Sequence, residues 1–197
     1  MNGFDLTKKL KEDFSTCHIP IVLLTAYVAD EHELEGIESG AEAYISKPFS
    51  MRHLMLQINK LLEKNERLHK HFASNENALS FNEEIRQEFP DKDAQFLNLI
   101  EELLEEHLAD PTFSVDEFAT LANTGRTLFF KKIKFLTGYT PNDFIRIRRL
   151  KKAAELLKTY KYNVSEVSYM VGINDPFYFS KCFKAQYGCS PSHYINS

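Results

Sequence analysis

The first seventy residues combine two short apolar runs with segments of helical spacing. Residues 19–26, IPIVLLTA, are almost continuously apolar over the length of one strand, which is typical of a parallel strand buried on both faces. Residues 41–48, AEAYISKP, form a second short run that ends at a proline. Helical spacing is found in residues 4–14, 30–40 and 50–72. The alternation predicts an α/β segment with one parallel pair of strands.

Every periodic segment after residue 92 has helical spacing. Residues 73–92 are polar and acidic and contain a proline, as expected of a linker. A helix then runs to Pro111, and a short helix, a turn and a second helix follow twice, joined by one longer helix that begins near Pro141. The predicted fold is mostly α, with a partial α/β segment over residues 1–72, a linker over 73–92 and an all-α domain with two helix-turn-helix units over 93–197.

Both predicted turns carry the residue types that a helix-turn-helix needs. The first helix requires a small residue where the second helix packs closely, and the turn requires a residue that tolerates positive φ. Ser168 and Gly172 fill these positions in the second unit, and Ala119 and Asn123 fill them at the same spacing in the first. One such pair is weak evidence, but two with matching second helices make the motif specific.

The net charge of −4 hides an uneven distribution. Residues 1–123 contain 11 Lys and Arg against 24 Asp and Glu, a net charge of −13, whereas residues 124–197 contain 13 against 4, a net charge of +9. This division indicates a basic module that binds a polyanion, attached to an acidic module that does not.

The second helix of each unit has one apolar face and one face suited to the major groove of DNA. Phe129, Ile133 and Leu136 form the predicted core face of the first, and Phe179 and Phe183 that of the second. Lysines and arginines bind phosphates and guanine edges, hydroxyls bind several bases, and an apolar ring contacts the thymine methyl. A solvated charged face is the alternative for one such helix, but two in a segment of charge +9 favour DNA. The candidate DNA-binding residues are Arg126, Thr127, Phe130, Lys131, Lys134, Phe177, Ser180, Lys181 and Lys184.

Residues from about Phe113 to Tyr194 resemble the AraC/XylS-type DNA-binding domain. The resemblance rests on VSEVSYMVGINDPFYFSKCFKAQYGCSPSHY and on LTGYTPNDFIRIRRLKKAAELL. It implies two recognition helices that enter successive major-groove segments of double-stranded DNA, about one helical turn apart. By position, the base-reading residues of the family match Thr127, Phe130 and Lys131 in the first unit and Phe177, Ser180 and Lys181 in the second.

Three positions depart from the family pattern or leave its meaning open. Gly125 stands where the family often has a serine cap, so we expect a weakly capped helix start there. Phe130 and Phe177 are apolar where polar base readers are common. Arg149 matches a near-constant arginine of the linking helix, and it either holds the two units together by ion pairs or contacts phosphate.

The first segment resembles the last two strands and helices of a response-regulator receiver. Thr25 ends the first strand, Lys47 ends the second, and Tyr44 lies three residues before the lysine. The resemblance implies that Thr25 and Lys47 would reach an aspartyl phosphate, and that the aromatic side chain would respond to movement of the threonine. A hydroxyl and an ammonium both stabilise a phosphoryl dianion.

The sequence does not supply the rest of such a phosphorylation site. A receiver has its phosphoacceptor at the end of an earlier strand, and only a helix and a loop precede Thr25. Asp5 and Asp13 lie on or beside that helix, so we expect no phosphoacceptor in this chain, no metal site, no cofactor and no enzymatic activity. We interpret the chain as a fragment of a longer regulator that begins shortly after the missing aspartate.

The order of the two segments resembles the C-terminal end of hybrid two-component sensor regulators. The resemblance implies a histidine kinase domain in the parent protein, a homodimer on paired DNA sites, and a parent anchored in the inner membrane by its sensor. The alternative is a fragment of a stand-alone response regulator that acts mainly in dimerisation and protein interaction. Three cysteines without a CxxC pair favour reduced thiols in the cytoplasm. No apolar run reaches the roughly 20 residues that span a bilayer, so we expect no membrane contact.

Overall fold

The computed structural model of the chain describes residues 1–26, 39–73 and 91–195. These residues divide into two compact units, the first comprising the described residues up to 95 and the second comprising residues 96–195. Most of the helix predicted over residues 30–40 and most of the linker predicted over 73–92 lie outside the described residues. None of the described helices is both long and apolar enough to cross a bilayer.

The first unit contains the predicted parallel pair of strands between two helices. The first helix begins with a capping box, in which the Asn2 side chain accepts from the Asp5 amide at 2.8 Å and the Asp5 carboxylate accepts from the Asn2 amide. The last helix begins after Ser50, whose hydroxyl accepts from the His53 amide at 3.1 Å. The elements are α1 (Gly3–Glu12), β1 (Val22–Thr25), β2 (Ala43–Ser46) and α2 (Met51–Ala73).

The two strands pair in parallel with a regular register. Leu24 lies beside Ile45, which is 2% exposed, and Thr25 lies beside Ser46. The ladder continues one residue beyond the strands, since the Lys47 amide donates to the Thr25 carbonyl. The parallel pair that the apolar runs predict is therefore confirmed, with strands of four residues each.

The described chain from residue 91 onward is helical. Its last helix was not predicted, although Ser190 and Pro191 carry the usual signals of a cap and a first helical residue. The Ser190 hydroxyl accepts from the His193 amide at 3.3 Å. The helices are α3 (Asp91–His107), α4 (Val115–Leu121), α5 (Arg126–Thr137), α6 (Pro141–Lys158), α7 (Val164–Met170), α8 (Pro176–Tyr187) and α9 (Pro191–Ile195).

The two helix-turn-helix units have the same turn. The Thr124 amide donates to the Ala119 carbonyl at 2.9 Å, and the Ile173 amide donates to the Ser168 carbonyl at the same distance. Asn123 has φ 52° and Gly172 has φ 71°, so both occupy the left-handed region. Ala119 and Ser168 are buried at 2% and 0% exposure. The spacing argument for two equivalent turns is confirmed.

Each unit has an aromatic core that packs on the shared helix α6. In the first unit, Phe118 and Phe129 are fully buried with ring centroids 4.9 Å apart. In the second, Phe179 and Phe183 are fully buried at 5.7 Å, and Phe183 stacks on Tyr187 at 4.5 Å. Helix α6 contacts α5 on one side and α7, α8 and α9 on the other. It thus sets the position of each recognition helix relative to the other.

Charged side chains connect α6 to α3. Arg148 pairs with Glu101 at 2.8 Å and Lys152 pairs with Glu105 at 2.9 Å. Burial raises the pKa of Glu101 despite the adjacent Arg148. Lys151 lies between these pairs at 7% exposure, and burial lowers its pKa to about 8, with a further decrease from Arg148. The Arg148–Glu101 pair, whose side chains are 14% and 15% exposed, is therefore retained at a desolvation cost, whereas the Lys152–Glu105 pair is largely exposed to solvent.

Gly172 is needed for two separate reasons. Its φ of +71° suits glycine, and a Cβ at this position would lie 2.7 Å from the Leu108 carbonyl oxygen and 3.1 Å from the carbonyl group of Ala109. Gly188 has a similar φ of +76°, but a Cβ there meets no described atom within 4 Å. The two glycines therefore separate the effect of backbone conformation from that of close approach.

We expect Gly172→Ala to destabilise the protein more than Gly188→Ala. The left-handed conformation costs an L-residue about 1–2 kcal/mol at either position, and overpacking against the backbone at Gly172 adds roughly 1–3 kcal/mol. Urea unfolding of the full chain, followed by far-UV circular dichroism, measures both free energies. Equal losses in the two variants would show that the approach to Leu108 is not a constraint.

Candidate nucleic-acid interface

The second helices of the two units are equivalent residue by residue. Helices α5 and α8 both have 12 residues, and both end at a glycine in the left-handed region, Gly138 and Gly188. Phe129 and Phe179 occupy the same position and are both fully buried. The shared length, end and buried position give both helices the same rotational phase, so the same positions face outward in each.

Helix α5 presents all five of its predicted DNA-binding side chains at the surface. Phe130 is 40% exposed, which is unusual for a phenylalanine in a well-packed domain. Lys132 points to the other side and is fully buried, with its ammonium 5.2 Å from the centroid of the Phe96 ring. The exposed predicted residues are Arg126, Thr127, Phe130, Lys131 and Lys134.

The start of α5 differs from that of α8 in how it is capped. Gly125 is the N-cap of α5 and makes no side-chain cap hydrogen bond, as expected, whereas Asp175 caps α8 by accepting from the Phe177 amide at 2.9 Å. Arg126 forms an ion pair with Asp116 at 3.0 Å, with both side chains exposed. An exposed pair of this kind is weak, about 0–1 kcal/mol, so Arg126 remains able to exchange Asp116 for a phosphate.

Helix α8 presents three of its four predicted side chains freely. Phe177 is 89% exposed, and Lys181 and Lys184 are also exposed. Ser180 was predicted to be exposed but is half-buried, and its hydroxyl donates to the Pro176 carbonyl at 2.8 Å. A helical serine commonly bonds to the carbonyl one turn back. The hydroxyl oxygen keeps its acceptor capacity, so Ser180 is better suited to accept than to donate.

Tyr178 and Arg146 were not singled out from the sequence, yet they interact between α8 and α6. Arg146 pairs with Asp143 at 2.7 Å on α6. Interaction with the Cys182 side chain raises the pKa of Tyr178, burial adds to the increase, and the positive charge of Arg146 lowers this pKa in part. The only sequence signal was that Tyr178 lies next to Phe177 in DPFYFS, which does not reveal a partner on another helix.

Arg149 binds backbone carbonyls, not carboxylates. Its Nε donates to the Leu108 carbonyl at 3.1 Å, and its Nη2 donates to the Asp110 carbonyl. Burial lowers the pKa of Arg149, partly offset by the carboxylate of Asp110. Of the two roles considered from the sequence, holding the domain together fits this geometry, but it does so through hydrogen bonds to the segment after α3 and not through ion pairs.

The receiver-like residues lie at one edge of the strand pair. Thr25 is the last residue of β1 and Lys47 directly follows β2, and a backbone hydrogen bond joins them. The Lys47–Pro48 peptide is cis. Tyr44 lies on β2, and its ring stacks on Phe4 of α1 with centroids 6.3 Å apart. The structure thus brings the threonine and the lysine together, while Tyr44 contacts α1.

The two carboxylates considered as phosphoacceptors are both used in local structure. Asp5 completes the capping box of α1, and Asp13 ends this helix while accepting from the Ser15 amide at 2.7 Å and its hydroxyl at 2.6 Å. These hydrogen bonds lower the pKa of Asp13. Within residues 1–26, 39–73 and 91–195, no group of three or more His, Cys, Asp or Glu side chains is arranged to hold a metal ion.

Two protein families match the chain. The helix-turn-helix domain family matches residues 118–197 and the response regulator receiver domain family matches residues 1–59. The chain therefore carries a receiver segment followed by an AraC-type helix-turn-helix domain. The match to the first family covers both of the equivalent turns described above.

Relatives carry one or both of these segments. The chain is 42% identical to histidine kinase P4 of Formosa agariphila over 196 residues, which is 100% of this chain and 14% of that protein. It is 31% identical over 52% of its length to the HTH-type transcriptional regulator MtrA of Neisseria gonorrhoeae, covering 34% of that protein. It is 40% identical over 32% of its length to the phosphate regulon regulatory protein PhoB of Pseudomonas aeruginosa, covering 28% of it. The chain therefore spans about a third or less of these relatives.

We predict that Arg149 acts in the AraC-type domain through stability. Arg149→Ala removes two charge-assisted hydrogen bonds and should lower the free energy of unfolding by about 1.5–3 kcal/mol. Arg149→Lys is the matched control, because it keeps the charge but loses the planar fork that reaches two carbonyls. Urea unfolding should show a loss in both variants. A stable Arg149→Ala variant with weakened DNA binding would instead indicate a phosphate contact.

Proposed function

We propose that this chain is the DNA-binding output portion of a two-component transcription regulator. The observation that carries the proposal is the pair of equivalent helix-turn-helix units whose second helices expose two lysines each at the same positions, Lys131 with Lys134 and Lys181 with Lys184. We assign residues 1–72 to a receiver segment, 73–92 to a linker and 93–197 to the DNA-binding domain, which has no enzymatic activity of its own.

The outward positions of the two recognition helices suggest distinct roles for their side chains. Residues near the N-terminus of a recognition helix reach base edges, whereas those further along lie closer to the phosphates. We assign Thr127, Phe130 and Lys131 of α5 to base contacts and Lys134 to the phosphate backbone. Arg126 is an exception to this order, because it can exchange its exposed ion pair with Asp116 for a phosphate. In α8, the same reasoning assigns Phe177, Ser180 and Lys181 to bases and Lys184 to phosphate.

The hybrid arrangement is the form of the proposal that the comparisons favour. The chain aligns along its whole length with a histidine kinase, whereas its similarity to PhoB is confined to about a third of the chain. We infer a histidine kinase domain as the partner in the parent protein and a cytoplasmic location for the DNA-binding portion, with the parent anchored in the inner membrane by its sensor. We assign Thr25, Tyr44 and Lys47 to the switch residues of the receiver segment.

We further propose that the chain forms a homodimer through helix α2. Met51, Met55 and Leu62 lie on one stripe of this helix and are 68%, 48% and 58% exposed. Large apolar side chains grouped on one face of a helix mark an interaction surface more often than isolated ones do. A second copy of the chain would place two DNA-binding domains on paired sites, which is how dimeric regulators gain affinity.

We expect DNA binding with a steep dependence on salt. Each phosphate contact contributes about −0.9 to the slope of log K against log salt concentration. Lys134→Ala combined with Lys184→Ala should therefore reduce the slope by about 2 and weaken binding equally on all sequences. Fluorescence anisotropy with a promoter duplex and a random-sequence duplex measures both effects.

Lys8→Ala combined with Lys9→Ala is the control for this experiment. It removes the same charge from exposed positions of α1, outside the DNA-binding domain, and should leave the slope unchanged. Failure of the wild-type chain to bind either duplex at low salt would refute the proposed function. A loss confined to one sequence would show that Lys134 or Lys184 reads a base.

Dimerisation through α2 predicts a difference between two leucines on the same helix. Leu62→Glu places a charge on the apolar stripe and should shift the chain to a monomer in sedimentation velocity experiments. Leu56→Glu is the matched control, since Leu56 is 53% exposed but lies about 120° around the helix from Leu62. Equal sensitivity of the two positions, or a wild-type monomer at all concentrations, would contradict this interface.

A further inference from the structure

Each recognition helix has four outward side chains of the same three kinds, a hydroxyl, a phenylalanine and two lysines, in a different order. The capping residues Gly125 and Asp175 give a common starting point, and the outward stripe then falls on the second, fifth, sixth and ninth helical positions. The sixth and ninth positions are lysine in both helices. At the second and fifth positions the order is reversed, since α5 has Thr127 followed by Phe130 and α8 has Phe177 followed by Ser180.

The exposure of the two phenylalanines is not explained by the fold of the described residues. Phe177 is 89% exposed and Phe130 is 40% exposed. In contrast, Phe129 and Phe179, which occupy the same core position in the two helices, are fully buried. An exposed phenylalanine loses the stabilisation that its burial would provide, so such a ring is suited to a surface that covers it on binding. In the major groove the apolar group available for this contact is the C5-methyl group of thymine.

The position of the ring along each helix determines which base pair it meets. The second and fifth positions are three residues apart, which is about 4.5 Å along a helix axis. This is on the order of one base-pair step of about 3.4 Å. The lysines serve as a common reference, because they lie at the same positions in both helices.

We propose that each recognition helix specifies a thymine through its phenylalanine, and that the thymine is displaced by about one base pair between the two half-sites. This inference rests on the proposed function and adds which bases the domain selects. Phe177 contacts the methyl group from the start of α8, and Phe130 does so one helical turn further along α5. Thr127 and Ser180 occupy the complementary positions and hydrogen-bond to the neighbouring base.

The first test selects binding sites from a random duplex library with the full chain. The wild-type protein should enrich a thymine in both half-sites, at positions that differ by about one base pair relative to the lysine contacts. Phe177→Ser combined with Ser180→Phe should move the enriched thymine by about one base pair in the half-site of α8 and leave the other half-site unchanged. The fold accommodates a phenylalanine at this position, because Phe130 occupies its equivalent in α5. An unmoved thymine would overturn the inference.

The second test removes only the methyl group. In the half-site of α8, replacing the selected thymine by deoxyuridine should weaken binding of the wild-type chain about fourfold, which corresponds to one buried methyl group of about 0.8 kcal/mol. The same replacement should have no effect on Phe177→Ala. Tyr169→Ala is the matched control, since Tyr169 is 54% exposed but lies outside the stripe, and it should keep the fourfold effect.

The outcomes distinguish this inference from the proposed function. A wild-type chain that selects a specific site but is insensitive to loss of the methyl group overturns the inference and leaves the function standing. Persistence of the fourfold effect in Phe177→Ala likewise overturns it. A wild-type chain that selects no sequence and does not bind duplex DNA at low salt overturns both.

Discussion

The contacts of the Leu108 carbonyl group with two other parts of the chain are the constraint on which the AraC-type domain depends. The carbonyl oxygen of Leu108 accepts from Arg149 of α6, and it would lie 2.7 Å from a Cβ at Gly172 in the turn between α7 and α8. The same carbonyl group thus contacts both the shared helix α6, through Arg149, and the turn of the second helix-turn-helix unit, at Gly172. Because α6 also contacts α5, the spacing of the two recognition helices follows from how tightly this corner closes.

The ionic contacts between α3 and α6 serve geometry more than stability. Buried ion pairs are often no more stable than apolar pairs of the same shape, since both charges lose their water. Lys151, next to the Arg148–Glu101 pair, shows the same cost of removing a charge from water, because burial lowers its pKa to about 8. The Arg148–Glu101 pair, with its charged atoms 2.8 Å apart, nevertheless forms in only one alignment of α3 and α6. An apolar contact would allow the two helices to slide along each other. Such alignment matters here because a shift of α6 moves both recognition helices together.

Local patterns predicted most of the fold and of the candidate site. The helical period that placed Phe129 and Phe179 in the core also placed the lysine pair of each recognition helix outside, and the turn chemistry of Asn123 and Gly172 followed from the φ that each turn requires. The misses have two different causes. The acceptors of Arg149 lie about 40 residues away in sequence, and they are backbone carbonyl groups, which every residue has and which a residue pattern therefore cannot identify. Ser180 differs in kind, since its bond to the Pro176 carbonyl is a local preference that a face-based argument ignores.

The two units show which parts of such a domain are constrained and which are free to differ. The buried phenylalanine, the turn residue with positive φ, the terminal glycine and the lysine pair recur at equivalent positions, because each is required by packing, backbone geometry or the uniform charge of the phosphates. The second and fifth positions of the recognition helices carry no such requirement. A phenylalanine and a hydroxyl can therefore exchange places there without altering the fold, since neither Thr127 nor Phe177 contributes to a core. The fold therefore leaves these two positions free for the sequence recognition that we propose.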